Sequence, residues 1–305
     1  ETDVKFTGRI LNLNKDRVQL KVKPEILDDS VFQDLWDHIS KKTTYQLNFH
    51  SETVVAEAIQ RINEMADLEP IKFRISKAEI KIGSDGLSPT GGRDRGSAEA
   101  TGARTLPDVV GELCRRVPLS RRTIVKILKG CGKLEQAKLN PSVFIDQVAD
   151  AMARALYDQV VETIAYQPTG EHWEASKFVD SHQETTVAPI VVDVDHSITD
   201  KVVCDSNVER DFALFIDRQK NIPLFLKLPG WFLIPTPMGS YNPDWAFVRE
   251  EADGRYVYLV RETKGGDDID KLRFESEGWK IKCGAAHFNA IKVNFAFGSK
   301  PEDLI

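Results

Sequence analysis

The sequence has few cysteines: Cys114, Cys131, Cys204 and Cys283 are scattered over 305 residues. No two share CxxC spacing, which argues against a disulfide framework or a zinc site. Small buried thiols in a reducing, cytoplasmic compartment are the expectation. Long apolar runs are missing too. The longest, such as Ala188-Pro189-Ile190-Val191-Val192, are of strand size, far short of the ~20 residues of a membrane span. No excess of positive charge exists, since 41 Lys and Arg face 47 Asp and Glu, a formal net charge of -6. That excludes a uniformly basic coat for nucleic acid. It leaves room for a local basic surface, because a phosphate responds to the local field. A GxxxxGK[ST] phosphate loop is also lacking. Gly130-Cys131-Gly132-Lys133 comes nearest, but Ile127 stands in the first glycine's place and Leu134 in that of the Ser or Thr. A helix C-cap is expected there, and this chain should not hydrolyse ATP. The chain opens on Glu1 without a visible signal peptide, the start expected of a cut inside a longer polypeptide.

What is present supports a folded protein. Hydrophobic residues make up 41% and charged residues 29%, enough apolar material for a sizeable core. The length suggests roughly two domains at about 150 residues each. Residues 1–82 alternate short apolar patterns of period two and 3.6, which predicts an α+β spacer. Residues 83–104 are rich in Gly, Ser, Thr, Arg and Asp, which predicts a linker or mobile loop. Residues 105–180 predict a helical region, with Asp108 and Ser120 at helix starts and Pro118 as a breaker. Residues 181–305 predict an α/β domain: a helix from about 207 to 218, strands at 224–228, 231–234, 245–248 and 256–260, a helix at 269–288, and a strand at 293–297.

The chemistry sits in Tyr241-Asn242-Pro243-Asp244-Trp245 and Arg261-Glu262-Thr263-Lys264-Gly265. Two apolar strands and the turn Glu251-Ala252-Asp253-Gly254 lie between them, and Asp-Gly is a strong hairpin signal. Folding about that turn puts Asp244 opposite Glu262 or Thr263. Opposite Glu262, the two carboxylates would share a face, with Cβ atoms ~5 Å apart. Lys264, two residues beyond Glu262, shares that face as well. Adjacent carboxylates repel unless something neutralises them, and Mg²⁺ suits carboxylate oxygens, phosphate and water. Lys264 could orient or activate a water, or stabilise a pentavalent phosphate. The Thr263 backbone carbonyl is a further candidate ligand, with its side chain expected to point away. An E-x-K triplet alone carries little weight in a chain this charged. The proline before Asp244, the apolar flanks and the hairpin spacing give it weight.

These residues resemble the PD-(D/E)XK nuclease signature. The wider phrase, with Lys227-Leu228-Pro229, Thr236-Pro237-x-Gly239 and Cys283-Gly284, resembles the C-terminal endonuclease region of the restriction (Res) subunit of type III restriction-modification enzymes. The likeness is specific from about 200 to 290 and weak before 105. It implies a restriction-endonuclease-like α/β core, a mixed sheet flanked by helices, and Mg²⁺-dependent cleavage of double-stranded DNA as part of a type III site-specific deoxyribonuclease. It also implies a methyltransferase (Mod) partner subunit, and an ATP-driven motor that belongs to the parent chain. Glu209, on the helix before the sheet, would complete the metal site with Asp244 and Glu262.

Basic residues offer the DNA contacts. Lys280 and Lys282 follow the motif on a helix, and Arg121, Arg122 and Lys126 lie on the second helix of an arrangement like a helix-turn-helix. The bland alternative is a solvated face. Trp231, Trp245 and Phe247 are core candidates, and His287 a packed or capping histidine. A binding class stays open beside the enzyme: a DNA- and subunit-docking scaffold whose nuclease site is gated or inactive. Another PD-(D/E)XK repair or recombination nuclease is the third possibility.

Overall fold

A computed structural model describes residues 17–48, 50–83, 86–99, 106–181, 185–187, 190–266 and 275–305. The chain forms two compact units: Glu1–Asn48 joined with Thr163–Ile305, and Phe49–Glu162. The strand expected around Ile10 lies outside the described residues.

In the Phe49–Glu162 unit, helix Ser51–Glu64 buries Val54, Val55, Ala58 and Ile62 along one stripe. Helices Val109–Arg116 and Arg121–Gly130 start where the sequence predicts. Asp108 accepts from the Gly111 amide and Ser120 from the Thr123 amide, each satisfying an orphan donor of the first turn. Cys131 caps the second of these, and Lys133 binds the Met65 carbonyl and Asp67, at 2.8 Å from the carboxylate. It is thus an intramolecular tie. Helix Pro141–Thr163 runs 23 residues and buries Phe144, Val148, Met152, Leu156 and Val160.

The linker expected at 83–104 is different in the structure. Gly86–Glu99 is a strand, antiparallel to Lys72–Gly83, with Gly83 opposite Gly86. Ladder pairing uses backbone N–H and C=O groups, so it needs no apolar side chains on the second strand. The register slips between Arg74 and Ser76 and between Ala78 and Ile80, irregularities that glycine accommodates. The unit boundaries, near 48 and 163, also fall away from the composition breaks near 82 and 180.

In the other unit, the main sheet has four strands in the order Asn294–Gly298, Tyr256–Thr263, Trp245–Glu250 and Leu224–Lys227. Trp245–Glu250 is antiparallel to both neighbours, and Tyr256–Thr263 is parallel to Asn294–Gly298. The parallel pair needs a crossover, which helix Glu275–Ala290 provides. Helix Asn207–Ile216, capped by Ser206, packs Phe212 against Trp245 and Phe247. Each of these aromatics is fully buried and contributes about 1.5–3 kcal/mol by leaving water. The architecture is the mixed sheet with flanking helices that the resemblance implied.

The strand expected at 231–234 does not form. Only Ile234 makes a bridge there, to Tyr241. Pro229, Pro235 and Pro237 restrict the backbone and remove donors around it. Its apolar character serves packing instead: Phe232 is buried, and Trp231 sits edge-on to Trp36 and Phe178. His287 is packed as expected, buried with Nδ1 2.8 Å from the Thr43 hydroxyl. All four cysteines are free thiols. Among the described residues no helix is long and apolar enough to cross a membrane.

Candidate active site

The hairpin turns at Gly254, whose φ of 79° is glycine's ground. Glu251 and Arg255 pair across it at 2.8 Å. The register that follows sets Trp245 opposite Arg261, so Asp244 stands level with Glu262. The Leu228 amide donates to the Asp244 carbonyl at 2.8 Å, which holds this end of the strand. Asn242 donates to the carbonyls of Pro229 and Phe232 at 3.1 and 2.9 Å, fixing the approach to Pro243.

Asp244 Oδ2 accepts from both the Thr263 amide and the Thr263 hydroxyl, each at 2.7 Å. The Thr263 side chain stays on the Trp245 face, as alternation predicts, where it accepts from the Trp245 indole at 3.3 Å while donating to Asp244. The Asp244 carboxylate reaches across the end of the ladder to it. Glu262 is held through both oxygens. Lys264 Nζ lies 2.9 Å from Oε1, and the Tyr241 hydroxyl donates to Oε2 at 2.7 Å. Lys264 also meets Glu277 at 2.7 Å. Asp244, Glu262, Lys264, Tyr241 and Glu277 line a cleft of about 360 Å³, with Lys280 at its side.

Burial pushes the Glu262 carboxyl up to about 8, and the nearby Asp244 charge adds to it against the pull of Lys264 and Tyr241. Asp244 is raised too, by burial and by the charge of Glu209, against its Thr263 bonds. Burial would lower the Lys264 ammonium, but Glu262 and Glu277 outweigh it and leave it above the ordinary lysine value. Burial and Glu262 hold the Tyr241 hydroxyl far above the ordinary phenol, so it stays a donor. Two desolvated carboxylates that resist ionising together are a donor pair suited to a hard divalent cation, which Mg²⁺ chemistry meets with one or two carboxylates plus water and phosphate.

Other expected site residues fall elsewhere. Glu209 is buried but occupied: Oε2 pairs with Lys227 and accepts from the Asp205 amide at 3.0 Å. Among the described residues, no three His, Cys, Asp or Glu side chains cluster closely enough to hold a metal. The Glu209 charge is felt at Asp244, but its carboxylate is engaged by the Lys227 ammonium. Lys280 lines the cleft, whereas Lys282, two residues on, is half-buried and does not. Arg121, Arg122 and Lys126 are exposed on the Phe49–Glu162 unit, where Lys126 pairs with Glu52. Sequence reasoning missed Tyr241 and Glu277 as parts of the site. Tyr241 was visible in the motif phrase, but its reach to Glu262 depends on a loop conformation that no periodicity encodes.

Residues 195–301 match the family model RE_endonuc, an endonuclease domain. Two curated relatives match as well. The EcoPI Res subunit of a type III restriction-modification enzyme, from Escherichia phage P1, is 35% identical over 129 residues. The EcoP15I Res subunit from Escherichia coli has the same identity over the same length. Each alignment covers 40% of this chain and 13% of the relative, so the chain spans a small part of the relatives' length. No solved structure matches. The matched residues contain the whole cleft, from Tyr241 to Lys280.

Proposed function

We propose that this chain is the endonuclease module of a type III restriction subunit, hydrolysing phosphodiester bonds of double-stranded DNA with Mg²⁺. The observation that carries the reading is the convergence of Asp244, Glu262 and Lys264 at one end of a buried hairpin. Asp244 and Glu262 would hold the metal. Bound there, it would supply a more acidic water and charge stabilisation at the phosphoryl oxygens. Lys264, kept protonated by its two carboxylate neighbours, acts as a cation toward developing negative charge and not as a base. Lys280 binds the DNA backbone beside the cleft. Arg121, Arg122 and Lys126 are candidate phosphate contacts from the other unit. In the parent enzyme, a motor would use ATP and a methyltransferase subunit would select the site.

A gated site is the second reading. It is favoured by Glu209 lying in the grip of Lys227 and by Lys264 reaching to Glu277. Cleavage of supercoiled plasmid by the chain, with Mg²⁺, Mn²⁺ or EDTA and beside Lys264→Ala, tests the proposal. Metal-dependent nicking lost in the variant supports the active module. Absence of nicking with Mn²⁺ binding that vanishes in Asp244→Ala supports gating. No metal binding by folded wild type overturns both.

A further inference from the structure

Glu262 is only 3% exposed, and its two oxygens have different partners. The Lys264 ammonium takes Oε1 and the Tyr241 hydroxyl takes Oε2. Lys264 is divided between Glu262 and Glu277, so it is a mobile-ended partner on a flexible stem. Tyr241 is built in from three sides. Its backbone pairs with Ile234 in both directions, at 2.9 and 2.8 Å. Its ring meets Phe295 edge-on at a centroid distance of 6.5 Å. Its other side lies against helix Glu275–Ala290 at Gly284, where an added Cβ would stand 2.2 Å from the ring's Cε1. No side chain fits into such a gap in a close-packed interior. Glycine at 284 therefore allows the helix to approach the phenol and fix its place.

We propose that Tyr241 is the positioning residue of the nuclease site: its hydroxyl locks the Glu262 carboxylate in one orientation for metal, and Gly284 sets the ring that delivers it. The proposal rests on the nuclease reading of the cleft. Outer partners of ligating carboxylates hold their orientation, and their removal typically lowers metal affinity 10–100-fold.

Tyr241→Phe keeps the ring and removes only the hydroxyl. Three measurements on the full chain test it: Mn²⁺ binding by titration calorimetry, thermal melting, and the infrared carboxyl C=O band that Glu262→Gln abolishes in metal-free protein. The expected result is an Mn²⁺ Kd raised about 10–100-fold, a shifted Glu262 band, and a folded protein. Plasmid nicking should fall at low Mn²⁺ and recover at high Mn²⁺, which a loss of fold would not do. Gly284→Ala should shift the same band, and Tyr241→Phe/Gly284→Ala should bind Mn²⁺ no more weakly than the worse single variant. An unmoved band, or unchanged Mn²⁺ affinity in Tyr241→Phe, overturns the positioning role. Additive losses in the double variant overturn the link to Gly284. Wild type that binds no Mn²⁺ overturns the nuclease reading and this role in metal binding together, while the band still reports separately whether the phenol holds the carboxylate.

Discussion

Between pH 7 and pH 5 one histidine should withdraw stability from the unit that carries the cleft. His287 is fully buried, and burial pushes its imidazole down to about 3 from 6.5. Nδ1 faces Thr43, while Nε2 has no hydrogen-bond partner among the described residues. The folded ring is therefore neutral throughout this range, whereas the unfolded ring gains a proton below its ordinary pKa. The unfolded state binds more protons, so stability rises with pH between about 3 and 6.5 and is lost as pH falls. From pH 7 to pH 5 the single-site linkage amounts to about 2 kcal/mol, approaching about 1.4 kcal/mol per pH unit at the steep end. Urea unfolding at each pH measures it, with the fluorescence of Trp173, whose ring lies 6.4 Å from His287, as a local probe. Glu262 runs the other way: its raised carboxyl favours the folded state at low pH and withdraws that stability as pH climbs toward 8. Comparison with His287→Gln, which cannot titrate, isolates the histidine. Equal pH slopes in the two proteins, or an imidazole titrating near 6.5 in the folded protein by NMR, would refute the reasoning.

Lys264→Ala should reduce nicking by roughly 10²–10³-fold, the usual loss for one preorganised charge-stabilising donor, while Mn²⁺ affinity measured by calorimetry stays within a few-fold. Lys280→Ala should weaken DNA binding and lower the slope of log K against log salt by about 1, if it neutralises one phosphate, as read by fluorescence anisotropy across a salt series. Arg261 donates to the carbonyls of Leu304, Val260 and Asn294 from a buried position. Arg261→Met leaves those carbonyls without their donor and should lower stability by about 1–3 kcal/mol in urea unfolding.

Much of the hairpin was legible because its signals are local. Asp253-Gly254 names the turn, the alternation around it names the strands, and counting outward places Asp244 level with Glu262. The helix starts at Asp108 and Ser120 are equally local, since each side chain reaches an amide only three residues on. The misses are tertiary. Whether Gly86–Glu99 pairs or hangs free depends on a neighbour strand, which composition does not reveal. The Lys227 contact of Glu209, from 18 residues away at a strand end, is likewise invisible in the sequence. The reach of the Asp244 carboxylate across to Thr263 is a choice of rotamer that alternation alone cannot fix. Tyr241 needed the helix packing at Gly284, a contact that appears only once the crossover closes.

The hairpin bearing Asp244 and Glu262 is flanked on both edges, by Leu224–Lys227 and by Asn294–Gly298. Interior ladder amides of this kind open only through large unfolding events, and are among the slowest in a protein to exchange with deuterated solvent. The scaffold that sets the spacing of the two carboxylates is thereby insulated from surface motion. A cleavage step regulated from outside would have to act by moving side chains such as Glu277 or Lys280 at the rim, with the strands beneath them staying protected through the catalytic cycle.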